Sequence, residues 1–148
     1  MAVEGSVVPE DRELRALLGQ AETIAVVGLS SKPDRPSLDV AAYLQDHGYR
    51  IIPVNPRETE VLGERAYAGL RDIPPEVQVD VVDVFRRAEE TPEVARDAVA
   101  IGAKVLWLQA DIVSDEAGRI ASEAGLDVIM GVCIRTTKSR LDGEDRSA

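Results

Sequence analysis

The 148-residue chain contains one cysteine, one histidine, one tryptophan and one phenylalanine. A single cysteine cannot close an internal disulfide, which fits a reducing compartment and points to the cytoplasm. One histidine and one cysteine are too few for an ordinary structural zinc site. Aromatics at 3% leave no stacking platform for single-stranded nucleic acid. A surplus of cations is missing too: 27 acids face 17 lysines and arginines, a net charge of −10. General nucleic-acid binding needs the opposite sign. No apolar run approaches the roughly 20 residues of a membrane span. Met1 to Glu10 lacks the basic start and apolar core of a signal peptide. The expected partner is therefore a small molecule, not a nucleic acid or a membrane.

What is present describes a globular domain, with 45% hydrophobic and 30% charged residues. A chain of this length is one ordinary domain and buries roughly 70% of its unfolded surface, enough for a core without staples. Pro9 to Leu18 reads as a short helix with Leu14, Leu17 and Leu18 on one face. Five strands are expected: Ile24 to Leu29, Tyr49 to Val54, Val79 to Phe85, Lys104 to Leu108 and Leu126 to Met130. Between them, helices open at Pro36 or Ser37, at Thr91 as a cap with Pro92 behind it, and at Ser114 with Asp115 and Glu116. Gly48, Gly102 and Gly125 close these helices. Strands alternating with helices predict an α/β fold, a Rossmann-like five-stranded parallel sheet with helices on both faces. The expected order is 3-2-1-4-5. The long link Asn55 to Gln78 calls for a short helix or turns near Ala66 to Leu70.

The segment Thr23 to Ser37 carries the most chemistry. An apolar strand breaks at Gly28, runs through Ser30, Ser31, Lys32 and Arg35, and enters a helix. A strand ending in glycine before a helix start gathers backbone N–H donors and the positive end of the helix dipole, which suits a phosphate. The carboxyl ends of the other strands add Arg57, then Arg86 and Arg87, then Arg135 and Lys138. In a doubly wound sheet those ends form the ligand crevice. An acidic chain thus collects a basic rim where an anion would bind. A nicotinamide site would show G-x-G-x-x-G and an acid ending the second strand. Here Ser30 and Pro33 replace the later glycines, and Val54-Asn55-Pro56-Arg57 carries no acid before Glu58. That favours a phosphate near the ribose over free ribose hydroxyls.

Several separate segments carry a family likeness. Gly28-Leu29-Ser30, Pro33-x-Arg35-x-Ser37, Val54-Asn55-Pro56, Glu60-Val61-Leu62-Gly63, Val84-Phe85-Arg86, Ile101-Gly102-Ala103-Lys104, Trp107-Leu108-Gln109 and Ala124-Gly125-Leu126 stand in one order. In this the chain resembles the small stand-alone CoA-binding proteins, which are similar to the N-terminal CoA-binding domain of the succinyl-CoA synthetase alpha subunit. The likeness runs from about Ala21 to Leu141. It divides the chain into an N-terminal helix within 1–20, a CoA-binding domain over 21–141 and a polar, frayed tail over 142–148. It implies coenzyme A or an acyl-CoA as ligand, held by the Gly28 to Lys32 loop with Leu29 and Ser30, by Arg35 and Ser37, by Asn55 and Pro56, and by Val84 and Phe85. Arg57 competes with Arg35 for the 3′-phosphate, Arg86 belongs to the basic rim, and Gln109 is expected to reach the ligand beside Trp107.

The expected role is binding without catalysis, since no second domain or phosphohistidine context is present. A detached subunit of an ADP-forming acyl-CoA ligase and a minimal NAD-binding enzyme are the alternatives, and a homodimer is left open. One segment departs from the family. Where relatives commonly show Asp-Arg before the cysteine and a Glu-His pair beyond it, this chain has Gly131-Val132-Cys133 and Thr136-Thr137-Lys138. Cys133 is expected to be a small apolar filler, His47 a partner of its helix's negative end, and Tyr43 a packing residue.

Overall fold

The computed structural model describes residues 4–143. Five parallel strands form the sheet: β1 (Thr23–Val27), β2 (Arg50–Val54), β5 (Val81–Val84), β6 (Val105–Leu108) and β7 (Asp127–Met130). Between β2 and β5 the chain makes a small hairpin, β3 (Glu60–Val61) with β4 (Glu64–Arg65). Its two-residue turn puts both Leu62 and Gly63 at positive φ, the geometry of a primed hairpin turn. One 3₁₀ turn follows at Leu70–Asp72.

The sheet order is β2-β1-β5-β6-β7. The α/β, Rossmann-like class is as expected, but the strand order 3-2-1-4-5 is corrected. The third long strand, β5, lies between β1 and β6, not outside β2. The place outside β2 is taken by Tyr67, which makes a single parallel bridge to Val54. Tyr67 N–H donates to the Pro53 carbonyl and Asn55 N–H to the Tyr67 carbonyl. A one-residue vestige therefore stands where a full strand would extend the sheet, and the chain passes on through the 3₁₀ turn to β5. The switch point falls between β1 and β5.

Because both faces are covered, the strands read as nearly continuous apolar runs, with Asp83 the acid inside β5. One face packs α1 (Asp11–Gln20), α2 (Pro36–Asp46) and α5 (Ile134–Leu141) over Ile24, Val26, Trp107 and Ile129. The other packs α3 (Thr91–Ala100) and α4 (Asp115–Glu123) over Ala25, Val82, Leu106 and Leu108. Ser114 caps α4 as expected, accepting from the Ala117 N–H at 3.1 Å. Thr91 does not cap α3. It is the helix's first residue, and its hydroxyl donates back to the Ala88 carbonyl of a preceding 3₁₀ turn.

The N-terminal segment closes the far edge of the sheet. Val7 pairs with Met130 through two hydrogen bonds of 3.0 Å. Of the expected polar tail, residues 144–148 lie outside the described residues.

Candidate functional site

The loop after β1 turns at Gly28, where φ is +89°. A Cβ built there would stand 2.5 Å from the Phe85 carbonyl oxygen, so only glycine lets the β1 and β5 loops approach this closely. The loop is then stitched from within. Ser30 N–H donates to the Ser37 hydroxyl at 3.0 Å and Lys32 N–H to the Ser30 hydroxyl at 3.1 Å. A second loop, after β2, is tied to the first. Asn55 Nδ2 donates to the Leu29 carbonyl at 3.0 Å, while Asn55 Oδ1 accepts from Arg57 N–H at 2.9 Å in an Asx turn. That turn carries Glu58 back to the first loop, where its Oε2 accepts from both the N–H and the hydroxyl of Ser31.

These loops enclose a crevice of about 620 Å³ at the switch point. The sequence-derived residues Gly28, Ser30, Lys32, Arg35, Ser37, Asn55, Arg57 and Phe85 line it. Ser31, part of the expected Gly28 to Lys32 loop, lines it too, as do Pro36 and Glu58, which sequence reasoning did not single out. The signal for Glu58 was Asn55, whose side chain folds the following residues back. Lys32, Arg35 and Arg57 make no ion pair among the described residues, unlike Arg86, which is locked to Glu90 at 2.8 Å. Ser37 N–H, in the first turn of α2, and Leu29 N–H have no hydrogen-bond acceptor among the described residues.

The other sequence-derived residues stand elsewhere. Leu29 and Val84 are fully buried core residues. Pro56 and Arg86 border a smaller hollow of about 190 Å³ on the α3 side, with Val54, Leu70 and Val94. Gln109 is 4% exposed, and its Oε1 accepts from Ile134 N–H at 3.0 Å, so it caps α5. Trp107 is wholly buried, with its indole N–H on the Val132 carbonyl at 2.8 Å. The expected neighbourhood of the fourth long strand and β1 is corrected here: β5 separates β6 from β1, which moves Trp107 and Gln109 away from the crevice.

Two aspartates flank the sheet's centre with opposite character. Burial works to raise the Asp80 carboxyl, but the N–H groups of Glu22 and Thr23 and the nearby Lys104 hold it below the usual range. Asp83, on β5 beside Val26 and Trp107, is 0% exposed, and neither carboxylate oxygen has a hydrogen-bond partner among the described residues. Burial pushes its carboxyl well above the usual range. No cluster of three or more His, Cys, Asp or Glu side chains suited to a metal ion occurs among the described residues. None of the described helices is long and apolar enough to cross a membrane.

Fold and crevice together define a class, a Rossmann-like domain with an anion-suited cleft at its switch point. The CoA binding domain family matches residues 22–138, and the chain belongs to that family. The uncharacterized protein YneT of Bacillus subtilis is 43% identical over 127 residues, covering 86% of this chain and 93% of that protein. A solved structure, a hypothetical protein from Pyrococcus horikoshii OT3, is similar with a TM-score of 0.87 and 39% identity, over 91% of this chain and 94% of that one. A shorter likeness, 39% over 65 residues, reaches the acetate–CoA ligase (ADP-forming) II subunit alpha of Pyrococcus furiosus. It covers 43% of this chain and only 14% of that protein.

Proposed function

We infer that the crevice binds coenzyme A or an acyl-CoA and that the protein acts as a binding protein without catalysis of its own. One observation carries the reading. In a chain of net charge −10, three cations without ion pairs among the described residues, Lys32, Arg35 and Arg57, line one crevice. The ligand chemistry that fits is a nucleotide with several phosphates. Ser37 N–H and the start of α2 offer donors to a pyrophosphate, and Arg35 or Arg57 offers a charge-assisted bond to a 3′-phosphate. The crevice holds neither the lone histidine nor the thiol. His47 sits at the other end of α2, its Nδ1 2.8 Å from the Tyr43 carbonyl and its ring stacked on Tyr43, and Cys133 precedes α5.

The likeness to the acetate–CoA ligase subunit favours a second reading, a component of such a ligase. Its short coverage of that protein leaves the binding reading ahead. Calorimetry with CoA, NAD and ATP tests the conclusion. CoA is expected to bind at least tenfold tighter than either competitor; equal or tighter binding of NAD would overturn it.

A further inference from the structure

We propose that the Glu58 carboxylate is a built-in competitor for the ligand's phosphate, a latch that an entering phosphate must displace from Ser31. This rests on the phosphate-binding reading above and adds to it a regulation of the same crevice. The two loops are joined at two heights. At the base the tie is neutral and part-buried, Asn55 Nδ2 to the Leu29 carbonyl. At the rim it is charged and exposed, Glu58 Oε2 accepting from Ser31 N–H at 2.8 Å and from Ser31 Oγ at 2.9 Å. An exposed tie of this kind has water as a ready substitute and opens more easily than a buried one.

The chemistry at Ser31 is that of an anion position. In the Ser30 to Lys32 stretch, Ser30 and Lys32 give their N–H groups to neutral hydroxyls, and only Ser31 gives its own to an anion. Among the described residues, Glu58 is also the one acid lining the crevice, together with the cations Lys32, Arg35 and Arg57. A phosphate and a carboxylate want the same paired donors, and two anions at one donor pair repel. Occupancy by phosphate therefore requires the carboxylate to swing out. A ligand whose only anion is a carboxylate gains nothing from the exchange, because it swaps like for like. A pyrophosphate brings more charge and more acceptors than it displaces. The latch thus filters ligands by phosphate content and holds the loop closed when none is present.

The test uses the full chain, with inorganic pyrophosphate as minimal probe beside CoA. Glu58→Gln keeps the shape and removes the charge; Glu58→Ala removes the acceptor as well. Glu58 is half-buried on a loop and outside both core clusters, so neither change removes core packing. Pyrophosphate is expected to bind roughly 5- to 10-fold tighter to Glu58→Gln, and tighter still to Glu58→Ala. In the wild type, its addition should move the Ser31 amide resonance. Unchanged or weaker pyrophosphate binding by both variants overturns the latch and makes Glu58 a scaffold of the loop. So does a failure of either variant to bind pyrophosphate at all. If pyrophosphate follows the expected order while CoA binds none of the proteins, the latch stands and the coenzyme A reading fails.

Discussion

Asp80 and Asp83 show how three residues along a chain can reverse the meaning of one side chain. Asp80 directly precedes β5 and Asp83 lies within it, and both are largely buried. Asp80 meets two backbone N–H groups and a lysine, so folding favours its charged form. Asp83 is fully buried with no hydrogen-bond partner among the described residues, so folding favours its neutral form. The linkage signs are opposite. The Asp80 contribution is full above the unfolded value of about 4 and is lost as pH falls through its depressed folded value. For Asp83, below about pH 4 both states are protonated and ionisation costs the fold nothing. As pH rises, the unfolded chain releases that proton first, and stability falls until the folded carboxyl ionises too. Asp83→Asn, which mimics the neutral acid, should therefore be more stable than the parent at neutral pH, with the gap closing toward pH 4. Denaturant midpoints measured across that range decide it, and parallel curves for the two proteins would refute the buried neutral acid. Sequence inspection registers Val81-Val82-Asp83-Val84 as an apolar run with one acid; it does not say whether a partner waits there.

Elements were legible where their signals are local. Ser114 with two acids behind it marked a helix start, and glycines marked helix ends. α5 was missed. It has no side-chain cap of its own, and its first donor, Ile134 N–H, is capped by Gln109 from the end of β6, 25 residues away. The hairpin β3–β4 was hidden because its strands are two residues each, too short to show alternation. The family departure at Gly131 has a counterpart in three dimensions. Gly131 sits at φ +88°, and a Cβ there would lie 2.2 Å from Ser6 Oγ and 3.2 Å from Ser6 Cα. A side chain at 131 and the N-terminal strap cannot share this space. Gly131→Ala is expected to release the strap and to cost about 1–3 kcal/mol, combining left-handed strain with the clash. Ser6→Gly in the same chain should recover part of that loss, since the nearest clashing atoms go with the hydroxymethyl group. Amide exchange at Val7 and Met130 reads the strap directly. Protection that survives Gly131→Ala in both amides would show that the strap holds by other contacts.

At the scale of the whole molecule, alternation of strands and helices revealed the fold class but not which strand lies beside which. The long Asn55 to Gln78 link decides that, by spending its one sheet position on Tyr67 and delivering β5 to the other side of β1. The displaced strand is what carries Phe85 into the crevice and shuts Gln109 and Trp107 out of it. Charge was legible in outline: the sequence puts cations after strand ends, and folding brings three of them to the same crevice while pairing Arg86 and Arg135 elsewhere. A molecule of net charge −10 that concentrates cations in one place is strained by self-repulsion around it and relieved locally by an anion. Ligand binding should then register as global stability. At a hundredfold excess over its dissociation constant, a ligand adds about 2.7 kcal/mol. For a domain near 150 residues this raises Tm by roughly 5–10 °C. CoA is expected to give that shift, and dephospho-CoA a smaller one at equal concentration, because it lacks the phosphate that Arg35 or Arg57 would hold. Salt near 1 M, where screening reaches within about 3 Å, should compress the difference between the two. Equal shifts at low salt would mean that neither arginine reads the 3′-phosphate, and the cations of the crevice would then serve the pyrophosphate alone.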